Sequence, residues 1–284
     1  MLGRRGALAF LAAPPFLWLA ALFLLPLLVV VAVSLQPQSG RINFGAGWPA
    51  TAQYAQIADT PVYLRQLAVS AAMALGIAAA AVAFAYPLAY FLALRARGRA
   101  TVFLILLLLP FATSFLLRIM AWKLLLGRDG AINWLLTTAG VVDEPATLLL
   151  YSRAAVIITL IYVWIPFAAL PIYAALQRID RSHLEAAADL GAGPWTRFLR
   201  VTVPLSLPGV LASLFMVFIP TVGEYVTPVL VGGPDGVMYG QLVQDFFTRA
   251  GNWPLGSALA VVMLTTTIVL VIVGSRLVNV RRLA

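Results

Sequence analysis

The sequence contains no cysteine, a single histidine, and charged residues at only 10% of its length. The absence of cysteine excludes disulfides and thiolate metal sites and leaves the compartment undecided. The lone histidine, His183, lies in a polar stretch with no Cys or second His to share a metal. Nucleotide hydrolysis is excluded as well, since no G-x-x-x-x-G-K-[ST] run occurs. An intramembrane protease or lipid-modifying transferase would need His beside a nucleophile at membrane depth. Here no serine sits in G-x-S-x-G, and paired intramembrane acids are missing. A stand-alone secondary transporter would need its own ion-coupling sites and usually an internal repeat, and neither is visible.

What the chain has instead is apolar surface. Hydrophobic residues make up 62% of it, and the mean hydropathy is +0.97. Globular chains run nearer half apolar, so the excess implies helices solvated by lipid. No polar block is long enough to fold apart, which argues for one membrane domain. Six apolar runs stand out: Pro15–Leu35, Leu67–Leu94, Val102–Leu126, Ala154–Leu176, Leu205–Val231 and Leu255–Leu277. At 21 residues, the first makes roughly 31 Å of helix, enough to cross a bilayer. It is longer than a signal-peptide core and is expected to be an uncleaved anchor. The segments Gln36–Gln66 and Gly232–Pro254 read as loops, and AINWLL (131–136) as a short surface helix.

Six spans place both termini on one side. With the N-terminus inside, twelve of the nineteen Lys and Arg residues fall on the inner side, with only three of the ten acids. The entire +9 excess then lies on that face in short loops, as the positive-inside rule requires. Anionic lipid headgroups account for this better than nucleic acid does.

One polar stretch, Asp180–Pro204, interrupts the apolar runs. Ser182-His-Leu-Glu185 fits a capping box; Gly191 suits a helix stop. Gly193-Pro194 suits the start of a second short helix ending at Pro204. The stretch thus reads as two short helices joined by a glycine elbow.

Its spacing adds more. Glu185-Ala186-Ala187, three residues, Gly191, nine residues, Val201, one residue and Val203-Pro204 resembles the EAA loop of bacterial ABC-importer permeases. That pattern carries isoleucine and leucine where this chain has Val201 and Val203. The stretches Leu109–Leu136, Phe218–Phe247 and Asn252–Ala260 look like the first permease of spermidine/putrescine-type importers. The resemblance implies an all-α integral membrane protein with six transmembrane helices, both termini cytoplasmic and the type I ABC-importer permease fold, in the bacterial inner membrane. The implied organisation is an anchor helix and outer loop (1–63), a permease domain (64–278) with the coupling loop at 180–204, and a cytoplasmic tail (279–284).

The implied function is non-catalytic: half of a pore for a small cationic solute, with polyamine as the expectation and another amine, an amino-acid derivative or a phosphonate as the alternative. The implied partners are a second permease subunit, two ATP-binding subunits that use ATP and Mg, an extracytoplasmic binding protein and membrane lipid. No cofactor is expected on this chain. Glu185, Ala186, Ala187, Asp189, Gly191 and Pro204 would couple to the ATPase, with Glu185 serving as both cap and contact.

Pathway residues follow from membrane cost. A carboxylate near mid-membrane costs about 2.5–3.5 kcal/mol, so Glu224, between Pro220 and Pro228, faces a cavity or a partner. Pro220 is expected to break the helix there. The alternative is an interfacial position, since Glu224 is seven residues from Val231. Tyr225 and Trp122 are the aromatic candidates, against an interfacial belt as the plainer reading. Arg118 and Lys123 are expected to snorkel to the outer surface, with a contact to a partner permease or binding protein as the alternative.

Overall fold

Backbone groups in lipid must find partners within the chain, which leaves helices as the economical solution for long apolar runs. The computed structural model describes residues 4–37, 42, 47–143 and 149–277, and no strand occurs among them. The expected tail at 279–284 lies outside the described residues. In chain order the first helices are α1 (Arg4–Ser34), α2 (Ala52–Asp59), α3 (Pro61–Leu94), α4 (Ala100–Leu108), α5 (Phe115–Leu126) and α6 (Ala131–Thr138). Then come α7 (Arg153–Gln177), α8 (Arg181–Asp189), α9 (Pro194–Arg197), α10 (Val203–Val222), α11 (Tyr239–Thr248) and α12 (Trp253–Leu277).

Five helical stretches are long and apolar enough to cross a membrane: Ala12–Ser34, Pro61–Leu94, Arg153–Gln177, Pro194–Val222 and Trp253–Arg276. A sixth is counted if the bent pair Ala100–Ala112 and Phe115–Thr138 is one span.

The chain forms two compact units. One comprises Met1–Leu64 with Val243–Thr265, the other Arg65–Leu242 with Thr266–Ala284. In the first, α1 is mostly uncovered from Ala12 to Val29, with Phe16, Trp18 and Phe23 each more than two-thirds exposed. Its end is tied down by the Ser34 and Tyr54 hydroxyls, 2.7 Å apart, and by the Trp48 indole N–H, which donates to the Ala32 carbonyl at 3.2 Å. Tyr63 meets Phe246 edge-on at 6.0 Å.

The core of the second unit is built on small residues. On α3 the buried positions Ala74, Ile77, Ala78, Ala81, Ala85, Ala89 and Leu92 repeat at helical spacing. On α10 the buried positions include Ser206, Gly209, Ser213 and Val217. Gly209 lets α10 approach α7 closely: a Cβ there would fall 2.5 Å from Ala175 Cβ and 2.6 Å from the Pro171 carbonyl oxygen. One turn on, Ser213 Oγ donates to the Ala168 carbonyl at 2.6 Å. Lipid tails give no hydrophobic drive between helices, so small-residue contact and buried hydrogen bonds must hold them.

Several expectations need correction. The third span is not one rod over Val102–Leu126. Pro110 lies in a 3₁₀ turn, Leu109–Ala112, and just after it, across Thr113 and Ser114, the stretches Ala100–Ala112 and Phe115–Thr138 diverge by 86°. Proline cannot bond back and its ring crowds the preceding carbonyl, so a tight turn replaces the helix. The fifth span begins at Pro194 instead of Leu205 and ends at Val222 instead of Val231. The segment Gln36–Gln66 holds α2 and the start of α3, and Gly232–Pro254 holds α11. The surface helix expected at AINWLL is present as α6.

Candidate functional site

The polar insertion and the break at Glu224 lie at opposite ends of one helical stretch, and both belong to the second unit. At the insertion the start signal differs from expectation. The cap of α8 is Asp180, whose Oδ1 accepts from the Ser182 N–H at 3.0 Å, while Ser182 is already helical. The capping box at Ser182 and Glu185 therefore does not form, and the capping role expected for Glu185 falls. Asp180, two residues earlier, satisfies one orphan donor, the Ser182 N–H, with its side chain. That hydrogen bond holds the Asp180 carboxyl below the usual carboxylate range.

The stop agrees with expectation. The Gly191 N–H donates to Ala188 and the Ala192 N–H to Ala187, at 2.9 and 3.0 Å, and Gly191 has φ +80°. This paired closure is a Schellman turn, and it needs the left-handed backbone that glycine supplies. Nothing on α8 is buried. Glu185, Ala186 and Asp189 are exposed and Ala187 is half-buried. Beyond the helix, Leu190 and Trp195 are 88% and 70% exposed. Two large apolar side chains flanking a rigid turn form a sticky surface.

The second helix of the insertion is not separate. From Pro194 it continues through a π turn, Phe198–Thr202, directly into α10. Pro204 does not stop it. The Pro204 ring would crowd the carbonyl four residues back, that of Arg200, which the wide turn moves aside. The Phe198 ring is the anchor of this passage. Trp195 stacks on it at 5.4 Å, and Tyr86 and Tyr90 of α3 meet it edge-on at 5.9 and 5.5 Å.

At the far end α10 stops at Val222, and Gly223 and Glu224 are non-helical. Pro220 is inside the helix, so the break falls three residues later than expected. Glu224 shapes it: its Oε1 accepts from the Val226 and Thr227 N–H groups at 2.9 and 3.1 Å. The carboxylate thus caps the next helical turn, which leads into a π turn at Pro228–Gly232. Gly240, in the first turn of α11, packs against this break. A Cβ there would fall 2.4 Å from the Gly223 carbonyl oxygen and 2.8 Å from that of Glu224. The neighbouring Tyr239 is fully buried, and its N–H donates to Ser70 Oγ of α3 at 2.7 Å. Glu224 is half-buried and Tyr225 is exposed.

Trp122 lies elsewhere. It meets Tyr162 edge-on at 5.4 Å and lines an apolar recess of about 290 Å³ with Phe84, Ile158, Ile161 and Ile165. Neither Glu224 nor Tyr225 lines that recess. Arg118 folds back over the Phe111 ring, 4.2 Å from its centroid, with Nε and Nη1 buried. It does not extend away as a snorkelling side chain would. Lys123 Nζ sits 5.6 Å from the Tyr151 ring.

A continuous helix joins an exposed, rigidly closed polar element to a carboxylate-capped break among apolar helices. Those are the parts of a transport permease. The family profile described as binding-protein-dependent transport system inner membrane component matches residues 85–284. The chain is 35% identical over 246 residues to the spermidine/putrescine transport system permease protein PotB of Haemophilus influenzae, covering 87% of this chain and 85% of that one. PotB of Escherichia coli K12 is 32% identical over 265 residues, at 92% and 95% coverage. The backbone also matches a chain of a bacterial alginate ABC transporter, solved in complex with an alginate pentasaccharide-bound periplasmic protein. There the TM-score is 0.72 at 14% identity, over 99% of this chain and 96% of that one. The chain belongs to the binding-protein-dependent transport system inner membrane component family.

Proposed function

We propose that the chain is one of two permease subunits of an ATP-driven polyamine importer in the bacterial inner membrane, both termini being cytoplasmic. Its partners are a second permease of different sequence, two ATP-binding subunits that hydrolyse ATP with Mg, and an extracytoplasmic binding protein that delivers spermidine or putrescine. The chain itself carries out no catalysis and binds no cofactor. Likeness to the spermidine/putrescine permeases over most of the chain supports the solute.

The observation that carries the coupling reading is the exposed α8, closed by the Gly191 turn and followed by an unbroken helix to Val222. Over 29 residues that helix spans about 43 Å. A push on Glu185, Ala186, Ala187 and Asp189 from a closing ATPase pair is then delivered to the break at Glu224. Glu224 and Tyr225 line the route of the cation. A half-buried carboxylate left at a helix break suits a solute that carries positive charge.

Pull-down from cells expressing the whole operon tests the assembly. The tagged chain should bring down an ATP-hydrolysing subunit and a second permease, and Glu185→Lys should lose the former while still inserting in the membrane. Uptake and ATPase retention at wild-type levels in that variant would remove the docking role. Binding of putrescine and spermidine by the cognate binding protein tests the solute.

A further inference from the structure

We propose that Phe198 is a positioning residue that fastens the coupling insertion to α3, so that one stroke moves α3 and α10 together. This rests on the docking reading given above. The π turn Phe198–Thr202 is the only non-α stretch in the helix from Pro194 to Val222. Such turns are where helices bend. A push arriving from α8 would be spent flexing it unless both sides are held.

Both ends are held by the same residue of α3. At the first residue of the turn, the Tyr86 ring meets Phe198 edge-on at 5.9 Å. After it, the Tyr86 hydroxyl lies 2.8 Å from Ser206 Oγ. Ser206 gives its one proton to the Val203 carbonyl at 3.0 Å, so Tyr86 donates and Ser206 accepts. Tyr90, four residues along the same face of α3, supplies a second edge contact to Phe198 at 5.5 Å. Trp195 stacks on Phe198 at 5.4 Å and 25°, joining the exposed end of the insertion to the clamp. Ser206 is fully buried and Thr202, at the end of the turn, is 2% exposed. The bond across the turn thus has a buried acceptor and a half-buried donor, Tyr86.

The test uses the complete transporter in proteoliposomes with its binding protein, measuring labelled putrescine taken up per ATP hydrolysed. Phe198→Ala and Phe198→Leu should keep the ATPase bound but lower that ratio about tenfold, the size expected from two lost edge-to-face contacts. Phe198→Tyr should keep the ratio near wild type. Tyr86→Phe, which removes only the hydroxyl, should lower it by a smaller factor and decides the matter if Phe198→Ala does not assemble. A wild-type ratio in Phe198→Ala, in Phe198→Leu, or in Tyr86→Phe when that variant decides, overturns the clamp. Glu185→Lys separates the two ideas: if it leaves the ATPase bound, the docking reading fails whatever Phe198 does.

Discussion

Glu224 has a structural job, and the pathway role proposed for it would be electrostatic; substitution can separate the two. Its Oε1 accepts two backbone N–H groups, from Val226 and Thr227. A carboxamide places an oxygen in the same position, so Glu224→Gln should hold the turn, whereas Glu224→Ala loses a helix cap worth about 1–2 kcal/mol. The charge is a separate matter. Unit charges 4 Å apart attract by about 4 kcal/mol at an effective dielectric near 20. Glu224 is only half-buried, and the amide keeps a dipole, so a net loss of about 1–2 kcal/mol is expected, a five- to thirtyfold effect. Putrescine uptake by Glu224→Gln should fall by that factor with assembly and melting temperature unchanged. Glu224→Ala should lose uptake and also melt earlier, and Glu224→Asp should keep the charge but reach the two N–H groups less well. Wild-type uptake by Glu224→Gln would take this carboxylate out of the pathway.

Other outcomes follow from close contacts and caps. Gly209→Ala puts a methyl 2.5 Å from Ala175 Cβ; prying α10 from α7 should cost about 1–3 kcal/mol and lower the melting temperature in detergent. Gly191→Val forces a β-branched residue to φ +80° at about 1–2 kcal/mol, and should weaken ATPase co-purification more than Gly191→Asn does. The Asp180 carboxyl is held low by the Ser182 N–H, so its contribution to α8 is complete above the ordinary Asp range. It is lost as pH falls through the depressed value. The protection of the Ser182 amide, its exchange rate relative to the intrinsic rate at the same pH, should therefore fall in acid. Asp180→Ala should show the low protection already at neutral pH, and equal protection in the two proteins would remove the cap.

Much was legible because lipid imposes a simple rule: a helix crossing it needs about twenty apolar residues, and composition reports that directly. The runs at Pro15–Leu35, Ala154–Leu176 and Leu255–Leu277 match the spans Ala12–Ser34, Arg153–Gln177 and Trp253–Arg276 within a few residues. Gly191 was legible too, since a left-handed stop leaves a glycine behind it. The bend after Pro110 was not. Pro166, Pro171 and Pro220 stay inside helices, so the residue type alone does not say which proline breaks its span. Asp180 and Ser182 were both acceptable caps two residues apart, and local chemistry cannot rank them. Helix α11 was hidden in a segment rich in turn residues. Its Tyr239 N–H is satisfied by Ser70 and its Gly240 lies on the Gly223–Glu224 break, contacts made only once distant parts of the chain have met.

The residues themselves determined that this chain is a bundle of membrane helices with one docking-like polar element, because burial of apolar surface in lipid depends on composition and not on partners. Tertiary structure alone decided that the second helix of the insertion and the fifth span are one helix and that α3 packs against it. Tyr86 and Ser206 are 120 residues apart in sequence, and no local preference can announce a bond between them.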